Sequence, residues 1–220
     1  MTITAWSSTS IHSSQTSTQT SAQGTAASGR LDAIGTGLQR SGNKIQTQLD
    51  TATASLSTLG KFKAAVAQAQ SAAKAVAGLK DNATADEVKT AMASLVEKFN
   101  AMVSASSAVT TDNSGASRVS KALVRTMGAD ISRVSSLRNL GLSKGSDGRY
   151  TLDASKLAGA FQASSSGVLD TLDKLGTLVD KAATKELASD GSIAQTSTAL
   201  TNKATLLQLQ KSALLSLIHI

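Results

Sequence analysis

The chain of 220 residues is basic, with 22 Lys and Arg against 15 Asp and Glu, and aromatic residues make up only 2% of it. Because much of its apolar content is Ala, which buries little area per residue, the composition argues against a thick globular core and favours helices packed side by side. The absence of Cys excludes a disulfide framework and thiolate metal sites, and the absence of Pro leaves glycine to interrupt the helices.

The first segment, residues 1–37, is rich in Ser, Thr and Gln. A polar stretch of this kind buries too little surface to offset the entropy lost on ordering, so we expect a disordered leader. The leader lacks the basic and then apolar plan of a secretory signal peptide, and no apolar run in the chain approaches the roughly 20 residues of a membrane span. The sequence therefore predicts a chain that has no Sec signal and does not span a membrane.

Residues 38–80 carry apolar side chains mostly at alternating spacings of three and four, which predicts a long amphipathic helix, the N-terminal arm. Two successive spacings of three near Leu59 and Gly60 indicate a bend or break there. We expect apolar residues of this arm to contribute to a seam for self-assembly. They are Ile45, Leu49, Leu56, Leu59 and Val66.

Residues 81–189 are predicted to form a small helical unit. Thr84 and Glu87 match a capping box that begins its first helix, and apolar residues at helical spacing beyond residue 115 predict the next one. The polar segment between them, residues 110–114, is predicted to be a loop.

Later in this unit, short apolar runs flank Asp147 and Gly148, a pair favoured where a turn needs a positive φ. The segment near 140–152 is therefore predicted to be a β-hairpin. Asp153 is then expected to cap a short helix, and the segment that starts at Ser164 leads into another.

Residues 190–220 are predicted to form the C-terminal helical arm. Its apolar residues recur at strict sevens, but companion positions such as Thr196 and Lys203 are polar. One apolar residue per heptad is a thin stripe, so this helix needs a partner, for which the antiparallel N-terminal arm is the candidate. The stripe completes the predicted self-assembly seam with Ile193, Leu200, Leu207 and Leu214.

The last six residues, 215–220, resemble the translation of a transposase mosaic-end adapter used in preparing sequencing libraries. On that interpretation the C-terminal arm is truncated, the native helix continues past Leu214, and His219 has no role. The alternative is a genuine apolar helix end, and the codons of the coding DNA distinguish the two.

The sequence offers no convincing active site. His12 lies in the predicted leader and His219 in the adapter-like tail, so neither is held by the fixed surroundings that a general base or a metal ligand needs. The Ser71-Ala-Ala-Lys74 stretch matches a Ser-x-x-Lys nucleophile pattern, but the companion motifs of that pattern are absent. We therefore expect a protein that is not an enzyme and uses no metal or other cofactor.

The net charge of +7 makes a polyanion partner worth testing. Most basic residues are scattered singly, and aromatic residues that could stack on bases are few. The best basic stripe consists of Arg118, Lys121 and Arg125. A solvated helix face is the favoured interpretation of this stripe, and a contact with phosphate or an acidic protein is the alternative.

Four blocks, taken in chain order, resemble the bacterial flagellar filament cap proteins, also called hook-associated protein 2. The most specific block, residues 140–157, is similar to the family's Ile-Gly-x-x-x-x-x-Asp-Gly-x-Leu-x-Leu-Asp-x-x-Lys-Leu. The other three are helical patterns at residues 56–73, 96–103 and 190–203. The chain lacks the large variable region that usually lies between the family's conserved arms, and so resembles a minimal form.

This resemblance implies a structural protein that caps the filament and aids flagellin insertion, and that reaches the extracellular flagellum by type III export. It implies a ring of copies whose partners are flagellin, hook-associated proteins and an export chaperone, with no nucleic acid and no membrane. A secreted helical effector or translocator, and a basic nucleic-acid-associated protein, remain open as alternatives. The fold class expected is mainly α, with long antiparallel helical arms from the two ends and a small helical unit with one β-hairpin.

Overall fold

A computed structural model describes residues 16–109, 115–134 and 136–218 of the chain. The described residues form six helices and one two-stranded antiparallel sheet. The helices are α1 (Thr16–Ala77), α2 (Ala85–Ala108), α3 (Gly115–Arg133), α4 (Ala154–Ala163), α5 (Ser165–Leu187) and α6 (Ser192–Ile218). The strands are β1 (Leu142–Lys144) and β2 (Tyr150–Leu152). The predicted mainly α fold with one β-hairpin is confirmed.

Two compact units make up the chain. The larger unit consists of the described residues between 49 and 206, and the smaller one of residues 16–48 together with 207–218. The larger unit extends beyond the predicted helical unit of residues 81–189. The reason is that apolar residues of both α1 and α6, such as Leu59 and Leu200, belong to its core.

The helix α1 continues without interruption from Thr16 to Ala77, which differs from two expectations. Residues 16–37 are helical where the sequence predicted a disordered leader, because no Pro interrupts them and their Ala and Gln residues favour helix. The helix also runs through Gly60, where a bend or break was expected. Burial of Leu59 and Phe62 on either side outweighs the cost of about 1 kcal/mol for a helical glycine. Residues 1–15 and the predicted loop at 110–114 lie outside the described residues.

The core of the larger unit combines a few bulky side chains with many alanines. Small residues let the helices approach closely, and the Leu, Met and Phe side chains fill the spaces between them. The buried apolar residues of α2, α3 and α5 recur mostly at spacings of three and four, so each helix packs one face inward. The largest fully buried side chains are those of Phe62, Phe99, Leu59, Met92, Met102, Met127, Leu157, Leu172, Leu175, Ile193, Val66 and Val76.

Side-chain caps begin three of the helices, and those at Thr84 and Asp153 are the ones that the sequence predicted. The Thr84 hydroxyl accepts the backbone N–H of Glu87 at 3.3 Å, and the Glu87 carboxylate accepts the backbone N–H of Thr84 at 2.7 Å, so the capping box is confirmed. The hydrogen bonds that the Glu87 carboxylate accepts from the backbone N–H and from the hydroxyl of Thr84 hold its pKa below its ordinary value. Asp153 accepts two backbone N–H groups of α4 at 3.1 Å each, and Ser164 accepts one from α5 at 3.3 Å.

The helices α1 and α5 come into backbone contact at Gly176, which is buried. A Cβ atom added there would lie 2.7 Å from the backbone nitrogen of Ala77 and 2.9 Å from its Cβ. Next to this contact, the side-chain amide of Gln70 donates to the Asp180 carboxylate at 2.8 Å. The absence of a side chain at position 176 thus sets the distance between the two helices.

We expect Gly176→Ala to lower the free energy of unfolding by about 1–3 kcal/mol, because the added methyl group meets backbone atoms that cannot move aside. Gly60→Ala is the matched control, since a Cβ at that exposed position of α1 meets no atom within 4 Å. Replacing this helical glycine should raise stability by about 0.5–1 kcal/mol. Urea unfolding of both variants is the measurement, and changes of the same sign would contradict the close contact.

Candidate interaction surfaces

The hairpin formed by β1 and β2 lies at the centre of the block on which the family resemblance rests most. Its strands pair antiparallel with Lys144 opposite Tyr150. The structure places Asp147 and Gly148 in the connecting turn, where Gly148 has a φ of +82° and the Asp147 carboxylate accepts the backbone N–H of Arg149 at 3.1 Å. The turn therefore uses both residues of the Asp-Gly pair.

Asn100 of α2 completes the edge of the hairpin. Its side-chain amide donates to the carbonyl of Tyr150 and its side-chain oxygen accepts the N–H of Tyr150, both at 2.8 Å. One amide side chain thus provides both hydrogen bonds that a third strand would offer at this residue. We attribute the docking of the hairpin on α2 chiefly to this pair of bonds, because an unsatisfied half-buried backbone group is costly.

The side chain of Tyr150 connects the hairpin to α2 and α3. Its ring is 5% exposed and meets Phe99 edge-on, with 5.3 Å between the ring centroids. Its hydroxyl donates to the carbonyl of Gly128 at 2.9 Å and lies 3.2 Å from the Ser132 hydroxyl. Burial raises the pKa of Tyr150, while the hydrogen bond to Ser132 acts in the opposite direction. The hydroxyl is therefore held as a neutral donor.

The residues of the predicted self-assembly seam pack largely within the chain itself. Those buried in the core of the larger unit are Leu59, Val66, Ile193 and Leu200, and in the smaller unit Leu207 is buried. The half-buried members are Ile45, Leu49, Leu56 and Leu214. Contact between copies through these nine side chains stays a prediction, and their burial shows that most of their apolar area is already used inside the molecule.

In the smaller unit, α1 and α6 run antiparallel, as the sequence predicted. The ammonium group of Lys211 donates to the side-chain oxygen of Gln46 at 2.6 Å. One turn earlier in α1, a Cβ added to Gly42 would lie 3.3 Å from a methyl carbon of Leu214. The residue in contact on α1 thus changes from 46 to 42 as the residue on α6 changes from 211 to 214, which is the order expected of antiparallel helices.

A second apolar face of α6 points to solvent. Leu206 is 56% exposed and Leu209 is 64% exposed. They belong to a row of residues at alternating spacings of three and four, and such a row follows one face of a helix. This face lies about 120° around the helix axis from the buried residues Ile193, Leu200 and Leu207. The row consists of Ala199, Asn202, Leu206, Leu209 and Ala213, all exposed and uncharged. This row was not predicted from the sequence, because the prediction for α6 considered only the apolar residues spaced by seven.

The remaining sequence candidates show no assembled catalytic or metal site. The ammonium group of Lys74 lies 3.7 Å from the Asp180 carboxylate rather than in a Ser-Lys pair with Ser71. Among the described residues there is no group of three or more His, Cys, Asp or Glu side chains that could hold a metal ion. No helix in the described part of the chain is long and apolar enough to cross a membrane. His12 and His219 lie outside the described residues.

Comparisons with protein-family models, curated proteins and solved structures found no match for this chain. The four blocks that resemble filament cap proteins lie in α1, in α2, in the hairpin with the start of α4, and around the start of α6. The resemblance thus depends on those residues and on their order.

We expect Asn100→Ala to lower the free energy of unfolding by about 1–3 kcal/mol, because it leaves the N–H and the carbonyl of Tyr150 without partners. Asn43→Ala is the matched control, since Asn43 is exposed on α1 and is not a member of the exposed row on α6, so its loss should change stability by less than about 0.5 kcal/mol. Urea unfolding followed by circular dichroism measures both. Equal effects of the two substitutions would contradict a structural role for the Asn100 amide.

Proposed function

We propose that this chain is a structural protein that assembles with copies of itself, and that it caps a bacterial flagellar filament and aids flagellin insertion. The observation that carries self-assembly is the outward face of α6, where Leu206 and Leu209 are exposed on a helix that already buries another face. The flagellar assignment is supported by the four blocks in the family's order, of which the hairpin block is the most specific.

The outward face of α6 suits a second copy of itself. It carries no charge, so two such faces can meet without desolvating an ion. In an antiparallel arrangement, Leu206 of one copy lies against Leu209 of the other, and Ala199 and Ala213 at the ends allow the helices to approach closely. Each Å² of apolar surface removed from water contributes about 25 cal/mol.

The area of this face also limits the strength of the contact. Two exposed leucines fall well short of the roughly 800 Å² per partner that a stable interface buries. Pairing through this face alone is therefore weak and depends on concentration, which suits copies that meet at a filament tip. A closed ring would need a second, different contact surface on each copy.

On this proposal the protein works outside the cell, on the flagellum, as a non-catalytic component without a cofactor. Its partners are further copies, flagellin and hook-associated proteins. An export chaperone would cover the outward face of α6 before secretion, because exposed apolar patches promote unwanted association.

We expect the weight-average sedimentation coefficient of the native chain to rise with concentration across the micromolar range. In the double variant Leu206→Gln, Leu209→Gln the coefficient should stay at the monomer value, because Gln keeps the helix and removes the apolar contact. Leu178→Gln, which replaces a 38% exposed leucine of α5, is the matched control and should behave as the native chain. A native chain that stays monomeric would contradict self-assembly, and association that persists in the double variant would contradict the assigned face.

The flagellar assignment has a separate test. If the chain caps the filament and aids flagellin insertion, its expression in a flagellated strain that lacks its own filament cap should restore filaments on the cells. Electron microscopy and the amount of flagellin in the medium are the measurements. Self-assembly in solution with no restoration of filaments would contradict the flagellar role while leaving the assembly surface intact.

A further inference from the structure

The net positive charge of the chain is concentrated in and after α3. Residues 115–144 contain six basic residues and a single acidic one, Asp130, and so account for five of the seven net charges. Asp130 is itself paired with Arg133, with 3.2 Å between nitrogen and oxygen. The other basic residues of α3 therefore have no acidic partner within their own helix.

The three basic residues near the start of α3 form a row. Arg118, Lys121 and Arg125 are spaced by three and four, which places them on one face of the helix. All three are exposed, and none forms an ion pair with another described residue. Their charges face water.

The hairpin adds a fourth cation to this row. Gly128 follows Arg125 on the same face of α3. The Lys144 ammonium lies 3.1 Å from the point where a Cβ of Gly128 would be, and 5.9 Å from the centre of the Tyr150 ring. Because Gly128 has no side chain, the ammonium occupies that place on the face while Lys144 remains exposed. The fold thus extends a row of three cations to four.

We infer that this cation row, Arg118, Lys121 and Arg125 with Lys144 seated on Gly128, binds an acidic segment of a partner protein. Between residues 118 and 128 the helix rises about 15 Å, so the four cations are about 5 Å apart along a line. Carboxylates spaced by three and four residues on an acidic helix repeat at about the same interval. Arginine at two of the positions adds paired hydrogen bonds to the carboxylates.

Nucleic acid fits the cation row less well. Binding of single strands combines cations with exposed aromatic rings on which bases stack. In the described ranges the rings of Phe62, Phe99 and Tyr150 are buried and that of Phe161 is half-buried. A duplex presents phosphates on both sides of a groove, whereas the row is a single line on a convex helix. The cation row lies on a different helix from the outward face of α6, so this inference does not depend on the proposed function.

Fluorescence anisotropy with labelled short poly-L-glutamate at low salt tests the inference on the full chain. The row variant is Arg118→Gln, Lys121→Gln, Arg125→Gln, and its dissociation constant should rise by about tenfold over that of the native chain. The matched control removes three exposed lysines elsewhere, namely Lys61→Gln, Lys63→Gln, Lys89→Gln. This control loses the same net charge and should weaken binding by no more than about twofold.

Lys144→Met provides the test of the hairpin's contribution and should weaken binding by about threefold. Circular dichroism of each variant verifies that it retains its helices. Equal weakening by the row variant and the control would overturn the inference, since net charge alone would then account for binding. Tighter binding of a single-stranded DNA oligonucleotide than of poly-L-glutamate, with the same dependence on the row, would also overturn it and assign the row to nucleic acid.

Discussion

Within the larger unit, the docking of the hairpin depends on two hydrogen bonds between the side chain of Asn100 and the backbone of Tyr150. A hairpin whose strands have three residues each is not stable alone in water and needs a surface on which to dock. Once Tyr150 is held, its ring meets Phe99 and its hydroxyl reaches α3. Lys144, which pairs with Tyr150 across the hairpin, is then placed over Gly128. The fourth cation of the row on α3 is therefore a consequence of this docking.

The apolar surface available to partners consists of side chains that are not buried in the core. The apolar residues spaced by seven along α6 contribute to the core, since Ile193 and Leu200 are buried in it. A contact between copies must then use apolar area that the fold has left exposed. The exposed leucines of α6 are Leu206, Leu209, Leu215 and Leu217, and of these Leu206 and Leu209 lie outside the adapter-like tail. On the proposed function, assembly and folding use two different faces of the same helix.

Features set by neighbouring residues could be predicted from the sequence. The capping box at Thr84, the cap at Asp153 and the turn at Gly148 each depend on contacts within a few residues, so their patterns are visible in the chain. The role of Asn100 could not be predicted, because its partner Tyr150 lies 50 residues away. The placement of Lys144 on α3 likewise requires the docked hairpin. The extent of α1 could not be predicted, because the polar composition and the glycines of residues 16–37 favour disorder, whereas the absence of Pro only permits a helix.

The central functional claim is that the outward face of α6 meets the same face of a second copy. Because the chain has no Cys, a single introduced thiol can report this contact by cross-linking with a short bis-maleimide. Leu206→Cys should give covalent dimers readily at micromolar concentration, whereas Leu178→Cys, at an exposed leucine of α5, should give few. Equal yields of dimer from the two variants would contradict the claim.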